Sequence, residues 1–441
     1  MSKPSFAAAL RWWLKLGFLS FGGPAGQISL MHQELVERRR WISESRFLHA
    51  LTYCNLLPGP EAQQLATYCG WALHGTWGGI AAGSLFVLPS VLILWLLSWI
   101  YAAHGAVPWV GAVFYGLGAA ALGVVAFAAL RIGRKTLKDP ALWCLAAGAF
   151  VAIFFLRAPF PLIVLGAGII GLLGGRWAPQ RFRMGGGHGS AGTGAEAQVE
   201  AAQPPPPPAS IAAGFAHAAR VIMTCGTLWF APIVAVIAWK GWDSTFAQLG
   251  IFFSKAAMVT IGGAYAVLPY VAEHAVNEHA WLTEADMTAG LALAETTPGP
   301  LIMVVQFVGF QGGWNQPEGL PVLTAATLAA LLVTWVTFLP CFLWIFLGAP
   351  WIERLRELPV LSAALAAISA AVVGVLLNLA VWFGQRMVFP QGLQAGLGAA
   401  DFYVLALAAG AFIALARFKI EIHWVVLAGG ALGVARWAAG F

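Results

Sequence analysis

Long apolar runs separated by short polar interruptions cover almost the whole chain. Thirteen can be marked, at roughly 7–30, 47–70, 78–101, 109–130, 141–156, 160–177, 219–239, 246–270, 287–311, 322–347, 360–383, 402–416 and 422–438. Most are long enough for a helix to cross a hydrocarbon core, so the pattern predicts an all-α polytopic membrane protein. Several runs are interrupted at their middle by helix breakers: Gly22-Gly23-Pro24, Pro58-Gly59-Pro60, Gly262-Gly263 and Pro298-Gly299-Pro300. Between the sixth and seventh runs, residues 178–210 are rich in Gly, Ser, Ala and Pro and end in PPPPP. Such a composition cannot bury a core, and it reads as a flexible cytoplasmic linker that stiffens toward its polyproline end.

Laid against itself, the chain repeats. At an offset of 240, Lys15 meets Lys255, Gly22-Gly23 meets Gly262-Gly263, Trp41 meets Trp281, Glu44 meets Glu284, and Pro58-Gly59-Pro60 falls on Pro298-Gly299-Pro300. The offset grows to 251 (Pro89 on Pro340, Gly123 on Gly374) and then to 262 (Gly148 on Gly410, Gly171 on Gly433). Both steps fall in loop-like sequence, where insertions are tolerated. The expected domains are an N-terminal repeat (1–177), the linker (178–210), an additional transmembrane segment (211–242) and a C-terminal repeat (243–441).

The run at 219–239 has no partner in the first repeat. One additional crossing inverts the second repeat relative to the first, so two inverted homologous repeats are expected. Loop charges agree, because Arg131, Arg134, Lys135 and Lys138, then Arg176, Arg181 and Arg183, then Arg354 and Arg356, then Arg417 and Lys419 all fall on one side. Excess Lys and Arg mark the cytoplasmic side. The segment from Glu273 to Asp286, with four acids and no Lys or Arg, lies opposite. The cluster Arg38, Arg39, Arg40 and Arg46 stays inside only if runs 7–30 and 47–70 enter and return. Broken or re-entrant helices are therefore predicted.

Composition narrows the class. Of 441 residues, 60% are apolar and 10% charged, and mean hydropathy is +0.78. A chain with so few charges cannot clothe several soluble cores. The net charge of +6 fits basic cytoplasmic loops better than a nucleic-acid partner. Five cysteines lie in apolar runs without CxxC spacing and read as small core residues. Arg11 and Lys15 interrupt the first run and no small-residue cleavage site precedes Gly22, so this segment is expected to remain in the mature chain. No GxxxxGK[ST], HExxH or GxSxG motif occurs, and His274 to His279 (HAVNEH) lacks metal spacing and reads as loop surface. Neither enzyme chemistry nor a metal or cofactor is expected.

Non-helical backbone in a membrane is tolerated only against protein or a water-filled cavity, and broken helices meeting in inverted repeats mark the binding site of many secondary transporters. Proline just past a break suits the first turn of a new half-helix, whose free amides receive an anion. The candidate substrate-binding set is Lys15, Ser20, Gly22, Gly23, Gln27, Pro58, Gly59, Pro60, Gln63, Gln64, Lys255, Thr260, Gly262, Gly263, Thr296, Thr297, Pro298, Gly299 and Pro300. Lys15 and Lys255 are lysines inside apolar runs, functional by default unless they snorkel to the interface. Glu61 and Glu295, flanking the two PGP breaks, are the proton-coupling candidates, with Lys15 as an ion partner for Glu61 if proton and anion compete. The neutral hydrogen-bonders also serve as packing glue between helices.

The segments FLSFGGPAGQISLMHQELVERRRW (18–41), NLLPGPEAQQLATYCGW (55–71) and TTPGPLIMVVQFVGF (296–310) resemble the paired signatures of the chromate ion transporter family. The resemblance covers both halves and omits the linker. It implies a multi-pass protein of the bacterial inner membrane that exports chromate, with sulfate-like anions handled by some members. Secondary transport is the mechanism the broken inverted repeats suggest; protons are a candidate coupling ion and a homodimer a candidate assembly, and the sequence sets neither. The second half departs from the pattern: Leu301 stands at the position of Glu61, and Ala264 at that of Pro24. A sulfate or molybdate transporter and a passive anion channel remain the alternatives.

Overall fold

The computed structural model describes residues 4–21, 23–178, 180–182, 210–261, 263–354, 359–392, 394 and 396–440. The linker expected at 178–210 lies almost entirely outside them, as do Gly22 and Gly262. The described residues form sixteen α-helices with short 3-10 and π-helical turns, and no strand. Six helices are long and apolar enough to span a membrane. The protein is an all-α polytopic membrane protein built from two inverted homologous repeats with broken helices.

In the first repeat, α1 (Phe6–Leu19) and α2 (Gly23–His32) flank the GGP break, and α3 (Glu44–Cys54) and α4 (Glu61–His104) flank the PGP break. Then come α5 (Pro108–Thr136), α6 (Pro140–Phe154) and α7 (Phe160–Trp177). After α8 (Ile211–Lys240), the second repeat runs α9 (Thr245–Val259), α10 (Ala264–Ala272), α11 (Glu284–Thr296), α12 (Val304–Asn315), α13 (Val322–Gly348), α14 (Pro359–Val388), α15 (Phe402–Ala416) and α16 (Ile422–Ala438). The count differs by one because α4 is two helices in continuous chain. His74 (φ −136°, ψ 24°) and Gly75 (φ 64°, ψ −156°) kink it where the second repeat breaks between α12 and α13 and the offset between the repeats grows by eleven.

The broken elements are hairpins. With 14 residues, α1 reaches only about 21 Å at 1.5 Å per residue, short of a ~30 Å core. Its partner returns beside it: Arg39, beyond α2, lies 5.0 Å from the Trp12 ring of α1. In the second repeat Trp281 packs 5.7 Å from Phe252 and 6.1 Å from Phe253 of α9. Asn315, closing α12, donates to the Trp281 carbonyl at 2.9 Å, beside the start of α11. Each first hairpin ends in a π-helical turn, Gln33–Arg38 and Glu273–Glu278. HAVNEH, read above as a surface loop, is therefore mostly helical, and its rings are stacked: His274 on Phe252 and His279 on Trp281.

The two repeats interlock. A methyl group on Gly123 of α5 would sit 2.4 Å from the Ala408 carbonyl oxygen of α15, and one on Gly374 of α14 would sit 2.1 Å from that of Ala146 in α6. These contacts are images of each other under the sequence offsets, as are Gly433 with Ala112 and Gly171 with Ala363. Small residues let the backbones touch, and each repeat's last two helices embrace the other repeat's long helix. The unpaired α8 seats on the second repeat, where Trp229 donates to Ser254 of α9 at 3.0 Å and Trp335 of α13 to the Leu228 carbonyl at 2.7 Å. Of the five cysteines four are buried as expected, whereas Cys144 is exposed on α6.

Candidate functional site

The four breaks meet. Gly59 N–H donates to the Thr260 carbonyl at 2.7 Å, and Gly299 N–H to the Ser20 carbonyl at 2.8 Å. Each PGP loop is thus stitched to the first break of the opposite repeat by the same bond, which builds a two-fold centre from sequence-related residues. Gly59 (φ 118°) and Gly299 (φ 108°) hold the left-handed backbone these loops require. Behind each loop stands a small side chain at equivalent positions: Cys341 against Gly59, and Ser90 against Gly299.

Glutamines complete the backbone's hydrogen bonding. Gln27 Nε2 donates to the Ser20 carbonyl at 3.0 Å and to the Gly299 carbonyl at 2.7 Å, bridging the repeats. Gln64 Nε2 donates to the Pro58 carbonyl at 2.8 Å, and Gln63 Nε2 to Thr67 Oγ1 at 3.2 Å. Ser20 and Thr260 return their hydroxyls to Leu16 and Ala256, each at 2.6 Å. All these polar side chains are buried. The amide oxygens of Gln27, Gln63 and Gln64 and the hydroxyl of Ser90 have no protein partner. Buried polar atoms of that kind call for water or a ligand.

New helices begin at the breaks without side-chain caps. Pro60 caps α4, Gly263 caps α10 and Pro300 caps the 3-10 turn before α12, none with a side-chain bond to the first turn. Their free N–H groups carry the positive end of the helix dipole. A Cβ at Gly23 or Gly263 would meet no atom within 4 Å, so space lies in front of these two residues.

Other expected site residues distribute unevenly. Thr297, Pro298 and Pro300 are buried and Thr296 half-buried, its hydroxyl donating to the Leu293 carbonyl at 2.8 Å. Pro58 and Glu61 are half-buried, and Pro60 is buried. Glu61 opens α4, and the basic side chain that acts on it is Lys135 of α5 rather than Lys15. Glu295 is buried and accepts from the Tyr265 hydroxyl at 2.6 Å, within the electrostatic reach of Arg131. Lys15 and Lys255 are exposed on the outer faces of α1 and α9, away from the bonds that join the breaks. Among the described residues no group of three His, Cys, Asp or Glu is placed to hold a metal ion.

Sequence reasoning missed Tyr265, Ser90, Cys341, Arg131 and Lys135. The last two carried a signal: four residues apart, they share one face of α5. In the sequence they read only as loop charge.

The family model described as "Chromate transporter" matches residues 7–172 and 247–434, leaving out the linker and α8. The chain is 28% identical over 378 residues to the chromate transport protein of Cupriavidus metallidurans, covering 86% of this chain and 82% of the relative. It is 30% identical to the chromate transport protein of Pseudomonas aeruginosa, covering 98% and 92%. An uncharacterized transporter of Methanocaldococcus jannaschii is 23% identical over 87% of the chain. No solved structure matches.

Proposed function

The chain belongs to the chromate transporter family, and on that premise we propose that it carries chromate out of the bacterial cell across the inner membrane, as a secondary transporter in which the four breaks form the anion site. The observation that carries the site is the pair of equivalent hydrogen bonds, Gly59 to Thr260 and Gly299 to Ser20, which gathers uncapped helix starts from both repeats at one centre. Donors fixed in the backbone suit an oxyanion, which needs several N–H groups converging at once. Gly23 and Gly263 have open space where a Cβ would stand, while Ser20, Gln27, Gln63, Gln64, Thr260, Thr296 and Thr297 hold the loops and supply neutral polar lining.

Magnitude favours export. A dianion leaving a cell that is negative inside gains about 4.6 kcal/mol per 100 mV, twice the single-charge value, and uptake must overcome as much. Glu61 and Glu295, as intramembrane carboxylates at the breaks, are the groups through which protons would couple. On this reading the α2–α3 side, with its basic cluster, faces the cytoplasm. The test is uptake of labelled chromate into inside-out vesicles with sulfate as competitor. Saturable, potential-driven uptake that sulfate competes for only weakly is expected. Equal competition by sulfate would make the protein a general oxyanion carrier, and non-saturating flux would make it a channel.

A further inference from the structure

The two repeats share a plan but not a conformation. In the second repeat α10 lies against α14, and α11 lies against α5 and α16. Their counterparts α2 and α3 have no comparable packing against α5, α14 or α7 among the described residues. Burial follows the same division: Ala264 to Pro269 of α10 are all buried, whereas Gly26 and Ser29 of α2 are exposed. The α11 side of the site is closed and the α3 side is open.

At the closed side the first turn of α11 is tied down twice. Glu284 pairs with Arg386 at the end of α14 at 2.7 Å, and Asp286 accepts from the Tyr101 hydroxyl at 2.7 Å. Glu284 and Arg386 are the sequence images of Glu44 and Lys135, at offsets of 240 and 251. On the open side that pair is apart. Glu44 is held by His32 at 2.7 Å, and Lys135 is exposed at the end of α5 and within reach of Glu61. Both substitute partners are peculiar to the first repeat, because Ala272 stands where His32 would fall and Leu301 where Glu61 would. The open side therefore offers each member of the pair another group while the two are separated, and the equivalent positions of the closed side, Ala272 and Leu301, offer none.

Inverted repeats carry a substrate by exchanging their conformations, so that each adopts what the other had. We infer that Lys135 is the gating cation of the α3 side, closing onto Glu44 in the opposite state of the cycle as Arg386 closes onto Glu284 in this one. The inference rests on the transport reading above, which it deepens by naming the residues that seal each side in turn. Lys135 is a positioning residue in this scheme, since it acts by moving α5 and α3 together.

The test uses the full chain in membrane vesicles with Cys144→Ser, which removes the one exposed thiol. Cysteine pairs are placed at Glu44 and Lys135, and separately at Glu284 and Arg386, and challenged with a short bifunctional thiol reagent. Both pairs are expected to cross-link, and linking the first is expected to lower the yield of the second when all four substitutions are combined. Charge exchange gives a second readout. Lys135→Glu and Glu44→Lys should each slow chromate transport, and the double variant should recover about tenfold, a coupling within the range for interacting neighbours. Cross-linking of the Glu284 pair alone, at full expression and without recovery in the exchange variant, would overturn the gate. Cross-linking on both sides without chromate flux in the unmodified chain would uphold the gate and overturn the substrate reading.

Discussion

Gly23 and Gly263 hold φ of 70° and 103° with no atom within 4 Å of where a Cβ would stand. A side chain there meets two separate obstacles: a left-handed backbone that costs L-residues about 1–2 kcal/mol, and, on the proposed reading, occupation of the space an anion would take. Gly263→Ala should keep the protein folded and weaken transport, and Gly263→Val should abolish chromate uptake while leaving the protein in the membrane. Normal transport by Gly23→Val and Gly263→Val together would make the breaks structural only. Glu61 calls for a different measurement. It lies at the first turn of α4, with Leu301 at the equivalent place, so its removal leaves no second copy of its function. Glu61→Gln is expected to retain chromate binding and to lose the pH dependence of transport. An unchanged pH profile at normal expression would assign it to helix capping and turn attention to Glu295, which Tyr265 holds.

At the scale of elements, the long helices are joined by glycines facing backbone. On Gly433 of α16 a methyl group would lie 2.1 Å from the Ala112 carbonyl oxygen, and on Gly171 of α7 it would lie 2.6 Å from that of Ala363. Overpacking of a close helix contact costs about 1–3 kcal/mol, and here the obstacle is backbone that cannot rotate away. Gly433→Leu should therefore separate α16 from α5 and lower the midpoint of thermal unfolding in detergent, and Gly171→Leu should do the same to α7 and α14. A midpoint that moves for neither variant would mean the repeats are not held together through these helices. The broken helices follow another rule. Proline and glycine end them locally, but their length comes from the hairpin: α1 and α9 stop near the middle because Ser20 and Thr260 must meet the opposite PGP loop.

For the molecule as a whole, orientation is the testable property. Arg134→Cys, Ser190→Cys and Arg354→Cys should be protected from an impermeant thiol reagent in intact cells, in a Cys144→Ser background, and Glu278→Cys should react. Labelling of Ser190→Cys and Glu278→Cys from the same face would sink the inverted arrangement. The parity that sets this orientation depends on α8, which the first repeat lacks and which packs chiefly on α9 and α13.

Periodicity, breakers and internal repetition determine much of this protein from the sequence alone. Apolar run length set the class, because lipid admits few alternatives to a helix. The match of Gly23 with Gly263 and of Gly59 with Gly299 located all four breaks, because proline and glycine act on the backbone locally. The family resemblance was legible in the same segments. Tertiary structure decided which partners those residues take. That Gln27 would bridge to Gly299 across 272 residues, that Tyr265 would hold Glu295, and that Lys135 rather than Lys15 would be the cation acting on Glu61 depend on how two repeats interlock. The open and closed sides are likewise invisible in sequence. Equivalent sequences fold to equivalent elements, and only long-range packing distinguishes a repeat that has closed from one that has not.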